Sequence, residues 1–379
     1  MPNEPRSEAW TGLLDADPRP WLLESDEPAA RWLALTHLLD LPASDPEVVA
    51  AHAAVVSDAG TRGIIARLPA WGVDTGVSGH NSPGYAPNLL HLLADMGVGP
   101  GDERVEALLD EMLEHQDAEG RFLFYARGGH GSHGRPREPA WGSLACDRHA
   151  IVEVLVRFGR GDHPRVKAAV ARMAADLTET AQGRSWLCLP DVATGFRGPG
   201  RKADFCPQVA LEALRTFARL PAPSRPPDLL DTARVSLRAW MRRHEQRPYM
   251  FGHGRRFLTA KWPAFWYDAH WFLDTLGRYP ELWRGEGARG EGGRTLVGDR
   301  VAVAEDRQAL VEDVRALAEV AAGLVTHNFG PGGRVTPRSC YQGFAGFSFG
   351  QKKVPSPFAT ARLAVVLRRF DDMALSLLP

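Results

Sequence analysis

The stretch 195-GFRGPGRKADFCPQVALEALRTFARL-220 decides how this chain reads. It places three basic side chains, Arg197, Arg201 and Lys202, just ahead of Asp204 and Cys206, and runs straight into an amphipathic helix. Asp-x-Cys at a helix mouth sets a carboxylate and a thiol within one turn. The positive end of the helix dipole favours thiolate over thiol there. Carboxylate and thiolate are both ligands that Zn²⁺ accepts, and a third must come from elsewhere in the chain. His270, at the same kind of helix start in the next repeat, is the best candidate. Each residue also has a plainer role: Cys206 as a small buried apolar group, Asp204 as the cap of its helix, His270 as a core histidine.

Outward from that stretch, composition narrows the classes. The 379 residues suffice for an ample core. A formal net charge of −1 gives no reason to expect nucleic acid or an anionic membrane as the main partner. Only five of the 45 basic residues are Lys, an Arg and Ala bias that reads as a GC-rich bacterial genome. The first twenty residues are polar with four prolines, unlike a signal peptide, and no run approaches the ~20 apolar residues of a membrane span. Cys146, Cys188, Cys206 and Cys340 lie far apart without a Cys-x-x-Cys, so a reduced, cytoplasmic chain is expected.

Helix-permissive segments alternate with Gly-, Pro- and aromatic-rich loops, and no long β-branched alternation occurs, so an all-α fold is expected. Five segments share a form: an aromatic or Pro-containing entry, a polar residue or two, an apolar stripe, then a stop. They are 85–97, 146–159, 206–220, 267–277 and 358–370. The first four end 62, 61 and 57 residues apart; a charged, Gly-rich insert (284–300) and an extra helix (306–324) delay the fifth. A partner helix precedes most of them, at 104–115, 164–177 and 229–243. Hairpins of about sixty residues are too long for tetratricopeptide or ankyrin repeats. They suit a closed ring of inner and outer helices, an α/α toroid over 61–379, with 1–60 as a helical segment packing on or opening the ring, in one domain overall.

At SPGYAPNLLHLLADMG (82–97), EHQDAEGRF (114–122), GRKADFCPQ and FWYDAH, the chain resembles the protein prenyltransferase β subunit and the wider terpenoid cyclase superfamily. The resemblance implies an α/α toroid with a central pocket, into which the inner helices start. It also implies a zinc site at Asp204, Cys206 and His270, with Arg197, Arg201 and Lys202 holding an isoprenoid diphosphate. Two departures stand out. No obligatory partner subunit is evident, and the DxDD acid of squalene–hopene cyclases is missing.

The chemistry follows from those residue types. Fixed Arg and Lys donors stabilise a leaving diphosphate. An aromatic wall holds an isoprenoid chain and a developing allylic cation; Tyr85, Trp262, Trp266 and Tyr267 are the candidates, with Phe265, Trp271 and Phe272 beside them. Cys146, Asp147 and His149 open the preceding inner helix and form a second constellation, an acid/base set or a further metal site. His130 and His133 in GGHGSHG are expected at the pocket mouth; His253, Arg255, Arg256, Lys261, Lys352 and Lys353 would add positive charge at its rim. The leading expectation is a zinc-dependent enzyme acting on an isoprenoid-like small molecule by allylic transfer or cyclisation. The alternatives are a metal-free carbocation cyclase with Asp147 or Asp204 as acid, and a non-catalytic toroid binding a lipid-like ligand or partner protein.

Overall fold

Proline and capping side chains fix where the helices begin. The computed structural model describes residues 8–72, 82–126, 138–247, 255–284 and 299–373. We number its helices of six or more residues α1 (Pro28–Leu33), α2 (Pro46–Ser57), α3 (Ala59–Ala66), α4 (Ala86–Met96), α5 (Glu103–Glu114), α6 (Ala145–Arg157), α7 (Pro164–Ala175), α8 (Pro207–Arg219), α9 (Leu229–Met241), α10 (Ala269–Leu276), α11 (Asp299–Asn328) and α12 (Pro357–Arg368). Proline stands in the first turn of α1, α2, α4, α7, α8 and α12, where its missing N–H costs nothing. Asp45, Asp58, Asp102, His163, Asp268 and Ser356 accept from the free amides of their helices. Helix α4 stops at Gly97, whose φ of 105° suits glycine.

The fold is all-α as expected. The few strands are short two-stranded pairings, such as Phe124–Ala126 with Ala140–Gly142. The five repeated segments and their three partner helices form within a residue or two of the expected ends. The extra helix is longer than 306–324, running over Asp299–Asn328.

Burial separates two kinds of helix. In α5 the buried residues are Val105, Leu108, Leu109, Met112 and Leu113, one apolar stripe of a helix with a wet side. Helix α7 repeats this with Val166, Ala169, Val170 and Met173. By contrast α8 is buried at every residue from Pro207 to Phe217, α6 from Ala145 to Leu155, and α12 from Phe358 to Leu367. The amphipathic reading of 206–220 is therefore corrected: its polar stripe faces protein, not water. Helix α4 packs on α6, α6 on α8, α8 on α10, α10 on α12, α12 on α1, and α1 on α4. Helix α7 lies against α6, α9 against α8, and α11 against α9 and α10. The chain's two ends are tied together: Glu27, capping α1, accepts from Ser348 Oγ at 2.7 Å and Phe358 N at 3.0 Å, and Arg368 grips Asp40 with two hydrogen bonds. No helix among the described residues is long and apolar enough to cross a membrane.

Candidate functional site

A His or Gln followed four residues later by Asp or Glu recurs in four buried helices, α4, α6, α8 and α10: His91/Asp95, His149/Glu153, Gln208/Glu212 and His270/Asp274. Four residues is one helical turn, so each pair shares a face. All eight side chains are buried or nearly so. The first members recur 58, 59 and 62 residues apart, the period of the repeat itself.

In three of the four repeats arginine holds the acid ionised. Glu153 lies 3.2 Å from Arg215 Nε, 3.1 Å from His91 Nε2 and 3.5 Å from Arg219 Nε. Burial raises its carboxyl, but Arg215, His91 and Arg219 pull it further down, to about 2. Asp95 sits 2.5 Å from Arg157 and 3.0 Å from Arg362; Asp274 sits 2.6 Å from Arg369 and 3.3 Å from Arg278. Both are held below the usual carboxylate range: burial opposes this, and Arg157 and Arg369 respectively lead the pull. Arg215 also lies over the Trp271 ring at 4.3 Å. Six arginines thus face three carboxylates across the later turns of α4, α6, α8, α10 and α12, an excess of positive charge. Burial and then Arg362 push His270 down to about 3. His91 falls to about 3 as well, through burial, against the pull of Glu153.

Glu212 is the exception. It is 1% exposed, and among the described residues no arginine lies within ion-pair distance of its carboxyl, although Arg215 interacts with it electrostatically. Burial raises it well above the carboxylate range and Asp147, Glu153 and Cys206 raise it further, while the hydrogen bond from Gln208 and the charge of Arg215 oppose them. Gln208 Nε2 donates to Oε1 at 2.5 Å, and Gln208 Oε1 accepts from Tyr267 N at 3.2 Å, which fixes the amide's orientation. The proton therefore belongs on Oε2, which has no hydrogen-bond partner. Beside it lie Asp147, fully buried, whose charge adds to burial in raising the Tyr85 hydroxyl, and Cys146, whose thiol burial raises.

No family model, curated protein or solved structure matches this chain.

The residues expected to do chemistry divide accordingly. Tyr85, Cys146 and Asp147 gather at Glu212, which the sequence reading missed. His149 turns away: its Nδ1 meets Val209 O at 3.2 Å and its ring packs edge-on to Trp186. Burial and then Arg148 hold it down at about 3, so it is neutral near pH 7. Cys206 does cap α8, but as a thiol. Its hydrogen bond with Cys188 and its burial raise it, and the Val209 and Gln208 amides pull the other way and lose. The thiolate expected from the helix dipole is corrected on that ground. Asp204 is no helix cap: Arg201 Nε meets it at 2.9 Å and Gln182 Nε2 donates to it at 3.0 Å. His270 has no partner on either ring nitrogen and packs beside Trp262, ring centroids 5.6 Å apart.

Asp204, Cys206 and His270 are all described, and among the described residues no three His, Cys, Asp or Glu side chains are grouped to hold one metal ion. Arg197, Arg201 and Lys202 are exposed, and Arg201 is committed to Asp204 and to the Gln246 carbonyl. Trp262 and Tyr267 are buried and Trp266 half-buried, stacked on Tyr267 at 5.8 Å. Lys261 lies over the Tyr341 ring at 3.6 Å. His130, His133 and His253 lie outside the described residues.

The overlooked signal was the recurrence of the turn-spaced pair. On α8, Gln208, Glu212, Arg215, Thr216 and Arg219 make a polar stripe that looks solvent-facing when the helix is read alone.

Proposed function

We propose that α1, α4, α6, α8, α10 and α12 close into the inner wall of an α/α toroid, and that the chain is an enzyme working by proton donation from Glu212. The substrate is an isoprenoid-like, largely apolar small molecule, and the reaction protonates an alkene or allylic oxygen to begin cyclisation or rearrangement. One observation carries this reading: of four acids at equivalent positions, Glu212 alone has no arginine ion pair among the described residues and is raised above the carboxylate range, with an oxygen that has nothing else to bond.

The roles follow from the geometry. Gln208 holds Oε1, so transfer occurs from Oε2, and the same hydrogen bond stabilises the carboxylate left behind. The rings of Tyr85, Tyr267 and Trp266 offer faces for a cationic centre, and burial keeps water from quenching it. Asp147, close enough to Tyr85 to act on it electrostatically, adds negative potential where positive charge develops. This is the metal-free alternative of the sequence reading, with a glutamate in the place expected for Asp147 or Asp204.

The test is incubation of the purified chain with farnesol, farnesyl diphosphate and squalene in D₂O, products read by gas chromatography and mass spectrometry. Deuterium-bearing cyclised or isomerised products from wild type, reduced on the order of 100-fold or more in Glu212→Gln, support it. Equal turnover by the variant would sink it. Zinc at Asp204, Cys206 and His270 rests on the resemblance alone; elemental analysis of wild type beside Cys206→Ala tests that separately. A non-catalytic toroid would bind these lipids equally well with either residue at 212 and turn over none of them.

A further inference from the structure

A cavity of about 580 Å³ lies between the start of α1, the start of α3 and the loop ahead of α12, and it shares no residue with the cluster around Glu212. Four carboxylates line it, Glu24, Asp26, Glu27 and Asp58, and among the described residues no Lys, Arg or His does. Two of the four are fixed by hydrogen bonds that leave their charge in place. Glu27 Oε2 accepts from Ser348 Oγ and Phe358 N, and Asp58 Oδ2 accepts from Thr61 N at 2.8 Å. The two act on one another: burial raises Glu27, those two hydrogen bonds oppose it, and Asp58 raises it again. A second observation is Thr61 itself. It belongs to the same wall and is 1% exposed, and its Oγ1 has no hydrogen-bond partner. A buried hydroxyl left unmet is costly, so the site is incomplete without a polar group brought from outside.

We propose that this cavity binds a linear organic polyamine, two or more ammonium groups joined by methylene chains. Among the described residues no three acids are gathered at one point as a single metal ion requires, so the four suit a ligand whose charges are themselves spread out. The rest of the lining matches the methylenes. Trp21 and Phe347 are half-buried there, with Met96 and Pro357 between the charged groups. Gly60 seats the Phe347 ring against the first turn of α3, since an added Cβ would come within 2.9 Å of it. Ring faces attract an ammonium as well as a methylene chain. The carboxylates accept from the ammonium groups, and the Thr61 hydroxyl accepts from one N–H. None of this depends on Glu212 being an acid catalyst.

The experiment titrates the intact chain with spermidine, n-butylamine and Ca²⁺ by calorimetry at neutral pH and low salt. The expected result is one spermidine per chain, bound about tenfold or more tighter than n-butylamine and weakened by added salt. Thr61→Val removes the hydroxyl at nearly constant shape and leaves no polar group unmet. Its urea midpoint should be no lower than that of wild type, while its affinity for spermidine falls about tenfold. Glu24→Gln with Asp26→Asn, both at exposed positions, should weaken spermidine as well. Asp162→Asn, at an exposed carboxylate outside the cavity, should bind it as wild type does. No binding of spermidine at millimolar concentration, Ca²⁺ bound more tightly than spermidine, or undiminished affinity in Thr61→Val or in the Glu24/Asp26 variant would each overturn the proposal.

Discussion

Replacing Glu212 by glutamine exchanges a protonated carboxyl for a neutral group of the same shape, so the fold should survive while the acid is lost. The wild type is expected to show the infrared carbonyl band of a buried protonated carboxyl at neutral pH, and Glu212→Gln should lack it. Persistence of the band in the variant would mean that another acid carries the proton. Glu153 behaves oppositely, because its charge is what the neighbouring arginines bind. Glu153→Ala leaves Arg215 buried beside a void, and removing one partner of such a network costs about 3–5 kcal/mol. A urea midpoint unchanged from wild type would refute that. No propensity rule distinguishes these two glutamates, since each follows His or Gln by one turn. What separates them is whether an arginine reaches across, and Arg215 and Arg219 lie more than sixty residues beyond Glu153.

At the scale of the element, helix boundaries were legible because they are set locally. The Pro and capping signals at α7, α8 and α12 fix where the chain turns helical, whatever packs on it later. Gly97 joins local and long-range demands. Its φ of 105° is unfavourable for other residues, and an added Cβ would come within 2.8 Å of the Trp32 ring. Gly97→Ala should therefore cost roughly 2 kcal/mol, read as a lowered midpoint in thermal unfolding. A variant as stable as wild type would show that neither strain nor contact matters there. The faces of the helices were less legible. A stripe such as Gln208, Glu212, Arg215 and Arg219 satisfies the pattern of a solvated face and of a buried polar one equally well.

For the whole molecule, the buried histidines and acids give a signed dependence on pH. His91, His149 and His270 are held near 3 and His37 near 4, so each is neutral in the fold and takes a proton on unfolding below about 6.5. Each therefore withdraws about 2 kcal/mol of stability between pH 6.5 and 5. Asp268, raised to about 7, works the other way: it is ionised only when unfolded in this range, so acidification restores roughly 2 kcal/mol, and Glu212 acts in the same direction. Glu27 and Asp313, also raised by burial, act with the acids. The histidines' share is read from His149→Gln, whose urea midpoint should change less unfavourably from pH 7 to pH 5 than that of wild type. An equal change would mean that His149 is not buried neutral. Sequence alone determined the helical class, the sixty-residue period and the ends of the five repeated helices and their three partners, because proline geometry, capping and apolar spacing act over a few residues. Only the tertiary structure decided which faces are interior and which acid keeps its proton. Those outcomes depend on burial and on charges brought across from other repeats, and Coulomb and desolvation energies follow distance in space rather than distance along the chain.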